Sequence, residues 1–89
     1  MLRASKEKDL DLSFNKNVGL YLRNIREAQK LTLEQLAIRV NTTKQNIYKY
    51  ESCKSRIKLD MFISICNALS LNPSTAYNDI LEMTKNSSL

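Results

Sequence analysis

The stretch Thr32–Ser52, TLEQLAIRVNTTKQNIYKYES, constrains this chain more than any other, because its helix-start and helix-stop signals leave room only for two short helices at a tight turn. Thr32 followed three residues later by Gln35 is a capping-box pattern, in which the hydroxyl and the amide each satisfy an orphan backbone N–H. The helix it opens is predicted over Leu33–Val40 and would bury Leu33, Leu36, Ala37 and Val40. Asn41 can end it, since Asn tolerates the left-handed backbone better than most residues other than Gly. Thr43 then caps a second helix, predicted from Lys44 to Glu51. With successive residues about 100° apart, Ile47, Tyr50 and Glu51 share one side of that helix. Gln45, Tyr48, Lys49 and Ser52 take the other, and Lys44 sits at the entrance.

The flanking sequence reads as support for this pair. Phe14, Val18, Tyr21, Leu22, Ile25 and Ala28 recur at helical steps, giving a first helix that ends near Lys30, with Arg26 beside its inward stripe. Gly19 inside that helix costs up to about 1 kcal/mol relative to Ala by propensity alone. Residues 1–13 alternate in charge without sustained periodicity and are read as a mobile arm or a short helical extension. After Glu51, SCKSRIK is polar, basic and aperiodic, hence a loop. Leu59, Phe62, Ile63, Cys66 and Leu69 form the stripe of a helix over 59–69. Asn72 before Pro73 is an N-cap with proline at the first helical position. The helix it opens, over 73–84, shows Ala76, Tyr77, Ile80, Leu81 and Met83. The expected organisation is a single domain over 14–84 with a polar tail at 85–89, and no run alternates with strand period, so the fold class is all-α.

At 89 residues a chain buries only roughly two-thirds of its unfolded surface, which leaves little room for an active-site cavity. The chain has no His, and Cys53 and Cys66 lack metal-ligand spacing, so zinc binding and His-dependent catalysis have no support. Glycine-rich phosphate-binding motifs and nucleophile motifs are absent, so no enzyme activity and no cofactor is expected. No apolar run approaches the roughly 20 residues of a membrane span, and the N-terminus lacks the apolar core of a signal peptide. The expectation is a reduced, cytoplasmic protein without a membrane partner. The net charge of +5 is unevenly placed: residues 43–58 carry Lys44, Lys49, Lys54, Arg56 and Lys58 against Glu51 alone. From Leu59 onward the balance is minus two. Basic charge concentrated on the organising stretch and the following loop suits a polyanion.

The outward side of the Lys44–Glu51 helix offers an amide, a phenol and ammonium groups. Amides pair bidentately with adenine edges, and Lys donates to guanine O6 and N7 or to phosphate, which is chemistry for a DNA major groove. The segment LTLEQLAIRVNTTKQNIYKYESCKS closely resembles the helix-turn-helix of the Cro and phage-repressor family, the xenobiotic-response-element-like transcriptional regulators. The resemblance spans about Val18 to Tyr77 and rests on Leu36 and Ala37, Ile47, Glu51, and the Ala68–Leu69 pair.

It implies a five-helix lambda-repressor-like domain with the helix-turn-helix at about 33–51, acting as a sequence-specific transcriptional regulator, a repressor. The implied partner is double-stranded DNA, read by a homodimer at two half-sites about 34 Å apart. By position, Lys44, Gln45 and Lys49 would face base edges, with Asn46 and Tyr48 at the margins, while Thr32, Thr43, Ser52, Lys54 and Arg56 would meet phosphates. Relatives pair Arg26 with Glu51, tying the first helix to the third and orienting the Arg toward DNA. Tyr77, Ile80 and Leu81 are the expected dimerisation residues, and a regulatory partner protein is expected in place of a sensor domain. An alternative on the same fold is a protein-interaction module, such as an antitoxin or an antirepressor-controlled partner. Four departures from the family stand out: Leu33 where many relatives place a DNA-contacting Gln, Asn41 and Cys53 where Gly is usual, and Ile57 where Pro is common. Cys53 at a positive φ would be strained.

Overall fold

Five α-helices follow one another: α1 (Leu2–Ala28), α2 (Leu33–Arg39), α3 (Lys44–Glu51), α4 (Leu59–Ala68) and α5 (Pro73–Ser88). The computed structural model describes the backbone of residues 2–88 and the side chains of residues 13–86, and among these residues there is no strand. Helix α1 packs against α5 and α3, α2 against α3 and α4, and α4 against α5. Val18, Leu22, Leu36, Ala37, Ile47, Phe62, Ile65, Cys66, Leu69, Ala76 and Ile80, drawn from or beside all five helices, form one buried core.

Several sequence expectations need correction. Helix α1 begins at Leu2, not near Phe14. The segment before Phe14 contains no Gly or Pro, and a helix already nucleated gains one hydrogen bond for each residue it adds. Of the two readings of residues 1–13, the helical extension is the one observed for the backbone. Helix α5 continues past residue 84 because Thr84 is anchored: its Oγ1 accepts from Asn17 Nδ2 at 3.1 Å and donates to the Ile80 carbonyl at 2.8 Å, in buried surroundings. Leu33 and Val40 lean on the core without being buried in it. On α4, Leu59 is 72% exposed and Ile63 39% exposed, while Ile65 takes a core position at 1%. The polar residues of that helix, Asp60, Ser64 and Asn67, share one side, and the buried Phe62, Ile65 and Cys66 lie opposite them, so the inward face is turned away from the stripe drawn through Leu59 and Ile63.

Helices α1 to α4 all end in the same way, with a non-glycine residue in the left-handed region: Lys30, Asn41, Cys53 and Ser70, at φ 60°, 57°, 66° and 59°. Each is followed by a residue whose N–H reaches back to the last helical turn: Leu31 to Arg26 (3.1 Å), Thr42 to Ala37 (2.9 Å), Lys54 to Lys49 (2.8 Å) and Leu71 to Cys66 (2.8 Å). These are Schellman closures, and each left-handed residue other than Asn costs about 1 kcal/mol or more. The single glycine serves elsewhere. A Cβ on Gly19 would lie 2.6 Å from the carbonyl oxygens of both Tyr50 and Glu51, so its absence lets the C-terminal end of α3 seat directly on α1.

Polar side chains act at two further places, the start of α5 and the end of α4. Asn72 Oδ1 accepts from the N–H groups of Ser74 (2.8 Å) and Thr75 (3.2 Å), as its position before Pro73 predicts. At the end of α4, Gln29 Nε2 donates to the Leu69 carbonyl (2.8 Å) and Arg39 Nη1 to that of Ala68 (3.3 Å), placing a cation at the negative end of the helix.

Tyr21 of α1 donates to Asp79 Oδ2 of α5 at 2.8 Å. Burial, and then this bond, pushes its phenol up from 10.0 to about 12. The folded state thus holds the proton more tightly than the unfolded chain. The associated stability is complete below about pH 10 and is lost as pH rises toward 12. Urea unfolding followed by circular dichroism should show stability falling across that window, and Tyr21→Phe should flatten the fall; an equal slope in the variant would remove Tyr21 as its source.

Candidate nucleic-acid interface

The α2–turn–α3 unit is held by its caps. Thr32 Oγ1 accepts from Gln35 N (3.0 Å) while Gln35 Oε1 accepts from Thr32 N (2.9 Å), completing the capping box. Thr43 Oγ1 accepts from Asn46 N at 3.2 Å. Both threonines act as acceptors in their caps, so each hydroxyl hydrogen remains available to donate to an anion. Asn46 also donates through Nδ2 to Thr42 Oγ1 (2.9 Å), which engages its amide within the turn. Ser52 donates its hydroxyl to the Tyr48 carbonyl (2.7 Å) and must rotate away before it can meet a phosphate.

Helix α3 divides as its sequence predicts. Ile47 is buried at 1% and Tyr50 packs against the core. Lys44, Gln45, Tyr48, Lys49 and Ser52 are exposed. Lys54, Arg56 and Lys58 on the following loop are exposed as well, so the described surface around α3 carries five basic side chains. Lys54 Nζ lies 5.4 Å from the centroid of the Tyr48 ring, a cation–π distance that restrains the phenol. Between α2 and α3 a concavity of about 380 Å³ is lined by Leu33, Lys44, Gln45, Tyr48, Lys49 and Lys54. A second, of about 150 Å³, is lined by Arg23, Arg26, Leu33, Tyr48, Glu51 and Ser52. Arg23 was not foreseen as a site residue, although its place three residues before Arg26 on α1 puts it on the same side of that helix.

Behind this face, Arg26 and Glu51 form a bidentate pair. Nε reaches Glu51 Oε2 at 2.7 Å and Nη2 reaches Oε1 at 3.0 Å, with the two side chains 8% and 6% exposed. Nη1 donates to the Leu31 carbonyl at 2.6 Å. The hydrogen bonds that Arg26 donates to Glu51 raise its pKa above the ordinary value, against the opposing effect of burial. All three guanidinium nitrogens are thus engaged inside the protein, so the pair's direct effect is to fix α3 against α1. Cys53, in the strained position foreseen for it, donates its thiol to the Asn15 carbonyl of α1 at 3.7 Å.

Away from α3, the three residues assigned to dimerisation separate. Tyr77 is 46% exposed and Leu81 half-buried, but Ile80 is fully buried and is therefore a core residue, not an interface residue as placed here. The reason is its register on α5, four residues after Ala76, which is also buried. Tyr77 meets Phe14 edge-on at 5.7 Å and helps to line an apolar recess of about 140 Å³ with Phe14, Val18, Ile57, Leu59 and Phe62. Among the described residues no helix is long and apolar enough to cross a membrane, and no cluster of potential metal ligands occurs.

This arrangement is similar to solved structures of the clp gene regulator ClgR from Corynebacterium glutamicum. One is 22% identical with a TM-score of 0.70, covering 83% of this chain and 74% of that one. Another is 21% identical with the same TM-score, covering 85% and 94%. None of the curated proteins compared with the chain matches it. The helix-turn-helix family matches residues 22–75, which include α2, the turn, α3, α4 and the start of α5. The chain belongs to the helix-turn-helix family, of the Cro and repressor type.

Proposed function

We propose that the chain is a sequence-specific transcriptional regulator that binds a palindromic operator as a homodimer, with α3 in the major groove, and represses by occupying that site. The observation that carries the reading is the exposed row Lys44, Gln45 and Lys49 on a helix whose opposite side is pinned by Ile47 and by the Arg26–Glu51 pair. The row reads base edges, with Asn46 and Tyr48 at its margins. Thr32, Thr43, Ser52, Lys54 and Arg56 contact phosphates. Family membership and the similarity to a protein described as a gene regulator support the same reading. A protein bound in the groove excludes others from the same sequence, and repression requires no further chemistry. Such a regulator works in the cytoplasm, and a second protein that covers α3 would control it.

Selection of bound sequences from random DNA tests this reading. The expected product is a palindromic consensus with half-sites one helical turn, about 34 Å, apart. Affinity should fall with salt by about 0.9 in the log–log slope for each neutralised phosphate. Gln45→Ala and Lys49→Ala should each relax preference at one position per half-site by about 1–3 kcal/mol. Parent-like selectivity in both variants would remove α3 as the reader.

A second reading, a protein-interaction module, is favoured by Leu59, 72% exposed beside the apolar recess at Tyr77. Homodimerisation through Tyr77 and Leu81 accounts for the same surface. A monomer in sedimentation together with no DNA binding would select the module instead.

A further inference from the structure

The concavity between α2 and α3 combines basic and apolar lining. Lys44, Gln45, Lys49 and Lys54 supply donors around it, while Leu33 and the Tyr48 ring supply surface that can neither donate to a base edge nor accept from one through the ring face. Leu33 is the first residue of α2, and it lines the neighbouring concavity as well, again with Tyr48. Two features keep this apolar spot in place. Leu33 leans on the core, and Lys54 stands over the Tyr48 ring at 5.4 Å. A spot of this kind, set among donors, discriminates only if the ligand brings an apolar group to it. In the DNA major groove a single base-edge group fits that description, the C5-methyl of thymine.

We infer that Leu33 and Tyr48 form a thymine-methyl pocket that selects T at one position of each operator half-site. This rests on the proposal that α3 reads DNA, and it adds a specificity determinant from α2 to that proposal. The row on α3 reads hydrogen-bonding patterns, and the pocket adds a selection by shape and hydrophobicity.

The test replaces each thymine of the selected operator, one position at a time, with deoxyuridine, which lacks only the methyl group. Burial of one methyl is worth about 0.8 kcal/mol, so one thymine per half-site should show a loss of about fourfold on replacement. Leu33→Ala should abolish that penalty, and Leu33→Gln, which introduces a polar side chain, should abolish it while changing the base preferred there. If no thymine shows the loss, or if the loss persists undiminished in both variants, the inference is wrong even though the protein binds DNA. A deoxyribose resting on Leu33 would give that outcome. Failure to select any DNA would overturn the parent reading and this one together.

Discussion

Replacing Gly19 with Ala is expected to destabilise the fold by about 3 kcal/mol, at the upper end of the range for overpacked sites, and to lower Tm by roughly 12–24 °C. Local propensity gives the opposite sign. Gly in a helix interior is worse than Ala by up to about 1 kcal/mol, so a reading of α1 alone predicts a gain. The sign is decided by what the new Cβ meets. Two carbonyl oxygens 2.6 Å away belong to the backbone of α3, which cannot move aside as the end of a flexible side chain can. Relief requires α3 to lift off α1, and that shifts the exposed row with it. Operator affinity should therefore fall along with stability. Thermal and urea unfolding of Gly19→Ala decide the matter, and a variant as stable as the parent would show that the two helices do not approach this closely.

The second large effect concerns the pair behind α3. Arg26→Ala would leave the Glu51 carboxylate without its partner at 6% exposure and the Leu31 carbonyl without its donor, and breaking such a buried pair costs about 3–5 kcal/mol. Replacing both residues with Met removes the unpaired charge, so the double variant should recover a large part of that loss. Its DNA binding is equally informative. With Nε, Nη1 and Nη2 all engaged internally, the pair should act by positioning α3 rather than by touching phosphate. A refolded double variant should accordingly retain the salt slope of the parent. A slope lower by about 0.9 per bound protomer would instead assign Arg26 a phosphate of its own.

The parts of the molecule legible from sequence are those whose signals are local. Thr32 with Gln35, Thr43 and Asn72 with Pro73 each name a helix start through a hydrogen bond spanning two or three residues, and each is found in place. The polar row of α3 was legible for the same reason, since a helix of eight residues with one buried Ile divides unambiguously. What escaped was set by partners far along the chain. The wide apolar arc of α4 admits a stripe through Leu59 and Ile63, but the side opposite Asp60, Ser64 and Asn67 is the one that Phe62, Ile65 and Cys66 occupy. Packing exposes Leu59 and Ile63 and buries Ile65. Ile80 lies between Ala76 and Tyr77 around α5, and only the packing of the helix shows that it goes with the buried Ala76 and not with the exposed Tyr77. Gly19 read as a defect in α1, and only the approach of α3 gives it a purpose.

The four left-handed closures bear on whether the α2–α3 unit can stand alone. Its turn passes through Asn41 and its exit through Cys53, neither of which adopts that backbone as freely as glycine does. The turn is therefore enforced from outside, by Leu36, Ala37 and Ile47 in a core shared with α1, α4 and α5, and by a carbonyl-to-Gly19 seat that no short fragment contains. The recognition unit is consequently no portable cassette: moving its specificity to another scaffold means transplanting the seat on α1 together with the helix that rests on it.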